Sequence, residues 1–242
     1  KVEGKLISNG TENNPVEMFL GKHNSNRGIL IYGDGVLDND DENSYVELNY
    51  TNIENPCRNQ LHGSSFSKTF LATKIRYCRF YQSAEDRGCF DRYRNSFWGQ
   101  LNAREIENTI FQNLKNMWDG ADAPVTASEM NKCIFDGCSS IFGLVNCKNT
   151  VFLNNSDTFY DVSDYNMKIE KDKNNVSNCA FLNNSLIKNK KEIMSIRAEE
   201  GDDTFDLTGN FWGTTNEALV KKQYTDSYDD VSLSTIKSVP FL

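Results

Sequence analysis

The segment Met130-Asn-Lys-Cys-Ile-Phe135 decides the fold, because its pattern recurs along the chain. Position 1 is apolar, position 3 is most often Asn, position 4 is Cys or Thr, and position 6 is Phe. The other copies are Ile75-Arg-Tyr-Cys-Arg-Phe80, Ile106-Glu-Asn-Thr-Ile-Phe111, Cys147-Lys-Asn-Thr-Val-Phe152 and Val176-Ser-Asn-Cys-Ala-Phe181, with a degenerate copy ending at Phe211. Their starts are 31, 24, 17 and 29 residues apart, which is typical of one supersecondary unit stacked on the next.

Each copy is best explained as one rung of short parallel strands. If positions 1, 4 and 6 point inward, the side chains of one rung stack on their counterparts in the next. Asn at position 3 suits a corner, because it tolerates positive φ and bonds to nearby backbone. Asn pairs follow Phe152 and Phe181, and aligned corner Asn residues are expected to hydrogen-bond from rung to rung. A helical solenoid is disfavoured, since the repeats lack an apolar period of about 3.6 residues.

Composition fits one elongated, acidic domain. With 242 residues and 38% hydrophobic content, the chain can bury a substantial core. The formal charge of −8 argues against a phosphate-binding face, so we expect no nucleic-acid partner. The sequence also lacks an apolar run of about 18 residues or more, so we expect no membrane span.

The seven cysteines are better explained as core residues than as metal ligands. Four occupy inward positions of the repeat, where free Cys acts as a small apolar residue; these are Cys78, Cys133, Cys147 and Cys179. Three lie outside the pattern and are candidates for disulfide pairing, namely Cys57, Cys89 and Cys138. No C-x-x-C spacing occurs, which disfavours a zinc thiolate site.

The chain resembles the right-handed parallel β-helix superfamily, the pectate-lyase-like fold. The likeness rests on the repeats, on an opening Val2-x-Gly4-x-Leu6 followed by Gly10-Thr11, and on the closing Leu207-Thr-Gly-Asn-Phe-Trp-Gly213. These ends are similar to adhesin-like surface proteins of bacteria and archaea. The resemblance implies an all-β solenoid, secreted or held at the cell surface, whose partner is a polysaccharide or a cell-surface protein.

We expect a single β-helix domain over residues 1–242, with N-terminal rungs at 1–74, central repeats at 75–215 and a cap at 216–242. Residues 216–223 are expected to form a short amphipathic capping helix, with Ala218, Leu219 and Val220 available to dock. A cap is needed because an open terminal rung recruits other chains. The chain is also expected to be a piece of a longer surface protein or of a larger envelope assembly.

The candidate binding site is a basic, aromatic patch. Six of the nine arginines fall within residues 76–104, interleaved with aromatic residues. Arg binds carboxylates bidentately and aromatic faces stack on sugar rings, which favours an anionic glycan. The alternative is that these arginines pair on a solvated face with nearby acids, namely Glu85, Asp86, Asp91 and Glu105. The candidate ligand-binding residues are Arg76, Arg79, Tyr81, Arg87, Asp91, Arg92, Arg94, Trp98, Trp118 and Asp119.

The sequence predicts no cofactor, with calcium as the one alternative that its carboxylate clusters suggest. Asp38, Asp40 and Asp41 form a dense group that could hold it, although their spacing is not that of an EF-hand loop. Gly201-Asp202-Asp203 resembles the paired aspartates of β-helical polygalacturonases. His62-Gly63, however, precedes the aspartates where that family places it after them, which puts hydrolysis in doubt.

Position 5 carries an apolar stripe of Ile110, Ile134, Val151 and Ala180, although this position is expected to face solvent. Such a stripe is either a contact surface or lies under a loop such as residues 157–175. We therefore predict a non-catalytic, adhesin-like β-helix module that presents a basic aromatic groove to a glycan or protein. The alternative is a polysaccharide lyase or glycoside hydrolase acting on an acidic polysaccharide.

Overall fold

The computed structural model describes residues 2–3, 5–19, 31–32, 45–54, 74–81, 101–113, 125–138, 144–155, 175–184, 196–197, 204–229, 231–232 and 235–242. Within these residues the chain is an all-β solenoid built on two parallel sheets of seven strands each. Sheet 1 contains Lys5–Asn9, Tyr45–Asn49, Lys74–Arg76, Leu101–Glu107, Val125–Asn131, Leu144–Lys148 and Asn175–Ser177. Sheet 2 contains Val16–Phe19, Thr51–Glu54, Arg79–Tyr81, Ile110–Gln112, Ile134–Asp136, Val151–Leu153 and Ala180–Leu182.

Each copy of the repeat is one rung, as predicted. Positions 1 and 2 end a strand of sheet 1, position 3 forms a corner, and positions 5 and 6 belong to sheet 2. Like positions are paired from rung to rung, so that Met130 lies beside Cys147 in sheet 1 and Phe135 beside Phe152 in sheet 2. Because the register never slips, every inward side chain meets its counterpart in the next rung.

The centre of the core is a file of stacked aromatic rings. Phe80, Phe111, Phe135, Phe152 and Phe181 lie with consecutive ring centroids 5.3, 4.5, 5.3 and 5.1 Å apart and nearly parallel planes. Trp212 continues the file at 4.7 Å from Phe181. The degenerate copy therefore ends at Trp212, and its predicted end at Phe211 was wrong by one residue, since Phe211 pairs with Ala180 at position 5.

The corner at position 3 has the predicted left-handed backbone in each rung from Tyr50 to Gly209. Its φ is 49° at Asn108, 53° at Asn149 and 54° at Asn178. A second corner follows the Phe, with φ of 53° at both Asn154 and Asn183. Left-handed conformations are least costly for Gly and Asn, which explains the Asn-rich sequence.

Buried Asn side chains connect the rungs behind the second corner, which confirms the expected Asn ladder at this place. Asn155 donates through Nδ2 to Asn184 Oδ1 at 3.0 Å and to the Phe135 carbonyl at 3.0 Å. The backbone N–H of Cys138 donates in turn to Asn155 Oδ1 at 2.8 Å. Cys138, which fell outside the repeat pattern, is thus a buried member of this file.

Position 4 forms a third inward file in which Thr and Cys alternate. Its members are Thr51, Cys78, Thr109, Cys133, Thr150, Cys179 and finally Asn210, all buried. Each hydroxyl or thiol donates to the carbonyl two residues earlier, as Thr150 does to Lys148 at 2.9 Å and Cys133 to Asn131 at 3.4 Å. These small donors satisfy carbonyls at the crowded corner without interrupting the core.

Two rungs precede the first copy recognised in the sequence. Residues 48–53 hold the same register, with Leu48 beside Ile75 and Ile53 beside Phe80. In the first rung, residues 11–15 are inserted at the corner between Asn9 and Val16. The pattern missed these rungs because position 6 is Ile53 in one and Met18 in the other.

Three two-stranded parallel pairings accompany the main sheets. These join Val2–Glu3 to Ile31–Tyr32, Ile196–Arg197 to Tyr224–Thr225, and Thr204–Asp206 to Thr235–Lys237. A helix at Glu217–Val220 is followed by a 3-10 turn at Lys221–Gln223.

The predicted capping helix exists, although only one of its three docking residues is buried. Asn216 caps the helix by accepting from the Ala218 N–H at 3.0 Å. Val220 is fully buried in the core cluster, whereas Ala218 is exposed and Leu219 is 48% exposed. The helix is a single turn, so it presents only one residue to the last rung.

Candidate binding surface

Three of the ten predicted ligand-binding residues lie within the described chain, namely Arg76, Arg79 and Tyr81. The other seven lie outside the described residues and stay predictions: Arg87, Asp91, Arg92, Arg94, Trp98, Trp118 and Asp119. The same holds for the predicted metal ligands Asp38, Asp40 and Asp41, and for Cys57, Cys89, His62, Asp202 and Asp203.

Arg76 projects from the outer face of sheet 1 into a group of carboxylates. Its guanidinium contacts Glu105 at 3.0 Å and Glu107 at 4.0 Å, both on the next rung. Lys74 and Arg104 approach the same Glu105 at 3.7 and 3.6 Å. The solvated ion pairing considered in the sequence analysis is therefore confirmed for Arg76, whose charge is already compensated by the protein.

Arg79 projects from the outer face of sheet 2, on the other side of the corner from Arg76. Its guanidinium lies over the Tyr81 ring, 4.5 Å from the centroid, and donates to Gln112 Oε1 at 2.5 Å. No carboxylate of the described chain forms an ion pair with it. A guanidinium that is stacked on a ring and has no counter-charge is a suitable binding site for the carboxylate of a ligand.

Tyr81 is held in place by a carboxylate of the preceding rung. Its hydroxyl donates to Glu54 Oε2 at 3.1 Å. Partial desolvation and this hydrogen bond raise the pKa of the Tyr81 phenol.

Tyr50 and Tyr77 form a stacked pair at the position-3 corner, between the faces that carry Arg76 and Arg79. Their centroids are 4.6 Å apart and their planes differ by 5°, while Tyr77 is 46% exposed. Both have left-handed backbones, with φ of 45° and 55°. That conformation costs a non-Gly residue about 1–2 kcal/mol, whereas one aromatic stack contributes about 0.5–1.5 kcal/mol. The stack alone does not offset the strain of two tyrosines.

Sequence reasoning found only part of this corner. Tyr77 belongs to the aromatic patch, but Tyr50 lies in a rung that the repeat pattern missed. The signal that identifies both is the alignment of position 3, where the remaining rungs carry Asn, Lys or Gly.

The apolar stripe at position 5 is confirmed as an outward row. Ile110 and Ile134 are 37% and 38% exposed, and Val151 and Ala180 are half-buried. The loop expected to cover them lies outside the described residues, so its role stays a prediction. The outer face of sheet 2 therefore changes from polar near Arg79 to apolar further along.

The buried thiols of Cys78 and Cys133 are not activated for chemistry. Burial raises the pKa of Cys78 to about 11 and that of Cys133 to about 12. A nucleophilic cysteine requires the opposite shift, because the thiolate is the reactive form. Among the described residues, no three Cys, His, Asp or Glu side chains are grouped as metal ligands would be.

Comparison with family models, with curated proteins and with solved structures finds no match to this chain. Within the described part of the chain, no helix is long and apolar enough to cross a membrane.

Proposed function

We propose that the chain is a non-catalytic module of the right-handed parallel β-helix type, secreted or displayed at the cell surface like an adhesin. It binds an acidic polysaccharide through the outer surface of its N-terminal rungs. The observation that carries this proposal is Arg79, an exposed guanidinium held over the Tyr81 ring with no carboxylate partner among the described residues.

The contrast between two arginines supports this proposal. Arg76 is compensated by Glu105 and Glu107 and has little to gain from a ligand. Within the described residues Arg79 forms no ion pair and bonds to the neutral Gln112 amide, so a uronate carboxylate would give its guanidinium a counter-charge. Its position on a strand favours binding, because a rigid sheet holds the guanidinium in one orientation.

The net charge of the chain predicts how binding depends on salt. At −8 the protein repels an anionic polymer at long range, and this repulsion is screened beyond about 8 Å at physiological ionic strength. Short-range contacts at Arg79 are screened less. We therefore expect binding to be nearly independent of salt around the physiological range, unlike the steep loss shown by basic proteins.

Isothermal titration with trigalacturonate and with its neutral methyl ester tests the proposal. Removal of Arg79 in Arg79→Ala should weaken trigalacturonate binding about tenfold or more, the loss of one charge-assisted contact. Arg104→Ala is the matched control, since it removes the same charge from an exposed side chain already close to Glu105.

Equal affinities for the two variants, or an absence of uronate binding by the unaltered protein, would refute the proposal. If the protein, incubated with the polysaccharide and calcium, instead forms an unsaturated uronate product detected by its ultraviolet absorbance, the lyase alternative is favoured.

A further inference from the structure

The position-3 corner forms a continuous file along the solenoid, and its composition changes at two adjacent rungs. From the N-terminal end its members are Gly10, Tyr50, Tyr77, Asn108, Lys132, Asn149, Asn178 and Gly209. Only the two tyrosines are large and aromatic. They occupy a backbone conformation that Gly and Asn adopt more easily, so the fold itself does not explain their presence.

Among the described residues, the tyrosine pair has only small or short neighbours in this file, with Tyr77 46% exposed and Tyr50 half-buried. Gly10, on one side, has no side chain. Asn108, on the other, is shorter than a phenol, so the Tyr77 ring reaches further from the backbone than its neighbour does. Rungs are spaced by about 4.8 Å, and the two rings already follow this spacing at 4.6 Å. A third flat ring could extend the stack over Asn108.

From this geometry we infer that Tyr50 and Tyr77 are a stacking platform for a pyranose ring of an acidic glycan. The inference rests on the proposed function and identifies the place where the sugar ring binds. The apolar face of a pyranose stacks on the Tyr77 ring, and the Asn108 side chain lies beneath it as a hydrogen-bonding group.

Charge at this corner favours a ligand that carries carboxylates. Arg79 follows Tyr77 by two residues, and Lys132 stands two rungs further along the same file. Lys132 is exposed and, like Arg79, forms no ion pair within the described chain. The acids on the opposite side, Glu105 and Glu107, are engaged by Arg76. A uronate chain running along the file would place its first carboxylate near Arg79 and a later one near Lys132.

Substitution by Asn separates a binding role from a structural one, because Asn is the natural residue at this corner in three other rungs. We expect Tyr77→Asn to bind trigalacturonate about tenfold more weakly, the loss of one stacking contact. Its thermal midpoint should equal or exceed that of the unaltered protein. Tyr77→Phe retains the ring and should bind normally. Tyr228→Asn is the matched control, since Tyr228 is 88% exposed and far along the chain.

The outcomes separate this inference from the proposed function. If Arg79→Ala weakens binding while Tyr77→Asn behaves like Tyr228→Asn, the platform is refuted and the binding function stands. If Tyr77→Phe loses as much affinity as Tyr77→Asn, the hydroxyl and not the ring face is responsible, which also overturns the platform. If the unaltered protein binds no uronate, both are refuted. Shifts of the Tyr77 ring protons on titration with trigalacturonate would support the inference directly.

Discussion

Removal of one ring from the aromatic file should destabilise the solenoid severely. Phe135 is fully buried and stacks on Phe111 at 4.5 Å and on Phe152 at 5.3 Å. Phe→Ala in a core costs about 3–5 kcal/mol. Two aromatic stacks are lost together, and the rings of the neighbouring rungs prevent the cavity from closing. We therefore expect Phe135→Ala to lower the free energy of unfolding by about 4–5 kcal/mol, near the top of that range.

The control for Phe135→Ala lies one residue away in the same strand. Ile134 points outward and is 38% exposed, so Ile134→Ala should lower the free energy of unfolding by about 1 kcal/mol or less. Guanidinium unfolding followed by circular dichroism gives both values. Similar losses for the two variants, or a loss below about 1 kcal/mol for Phe135→Ala, would refute the stacked core.

Three further predictions concern the position-4 file, to which Asn210 and Cys133 belong, and the position-3 corner. Asn210→Ala removes the acceptor of the Cys179 N–H at 2.8 Å and leaves the buried Leu207 carbonyl and the part-buried Val176 carbonyl without their donor, so we expect a loss of about 2–4 kcal/mol in urea unfolding. Gly10→Ala would place a Cβ 2.4–2.9 Å from three backbone atoms, whereas at Gly209 the new Cβ meets nothing within 4 Å and the cost is only that of the left-handed backbone, with φ of 69°; thermal melts should show the larger loss at Gly10. For Cys133, whose pKa is raised from 9.0 to about 12, the unfolded thiol ionises first, so stability falls as pH rises above 9. The loss at pH 10 is about 1.4 kcal/mol relative to neutral pH.

Each of these predictions has a result that contradicts it. An Asn210→Ala protein as stable as the unaltered one would show that the hydrogen bonds of Asn210 are dispensable. Equal melting of the two glycine variants would contradict the close approach at Gly10. Cys133→Thr places in the file the residue found in its neighbouring rungs and should remove the thiol's share of the pH dependence. If the free energy of unfolding of Cys133→Thr fell with pH between 8 and 10 as steeply as that of the unaltered protein, the Cys133 thiol would not be buried.

The rungs were predictable because the core requires the same residue types at the same places. A Phe file needs Phe at position 6, and a left-handed corner favours Asn at position 3. The prediction failed where another residue meets the same physical need. Met18 and Ile53 occupy the Phe position in the first two rungs, and Trp212 occupies it at the C-terminal end. This is why two rungs were missed and the last was shifted by one residue.

The candidate site was less predictable, since it depends on which rungs are adjacent. Residue type and strand alternation correctly placed Arg76 and Arg79 on the outside. Their different charge environments come from the register between rungs, which sets Glu107 beside Arg76 and the apolar Ile110 beside Arg79. Tyr50 and Tyr77 contradict the backbone preference of their positions, so propensity alone gave no reason to expect them there.

The stacked file of rings is the central claim, and one measurement tests it most directly. In a nuclear Overhauser spectrum with selectively labelled phenylalanines, the ring protons of Phe135 should show cross-peaks to those of both Phe111 and Phe152. The rings of Phe152 and Phe181 should be connected in the same way. Cross-peaks confined to residues close in sequence, with none between the phenylalanines of different rungs, would contradict the account.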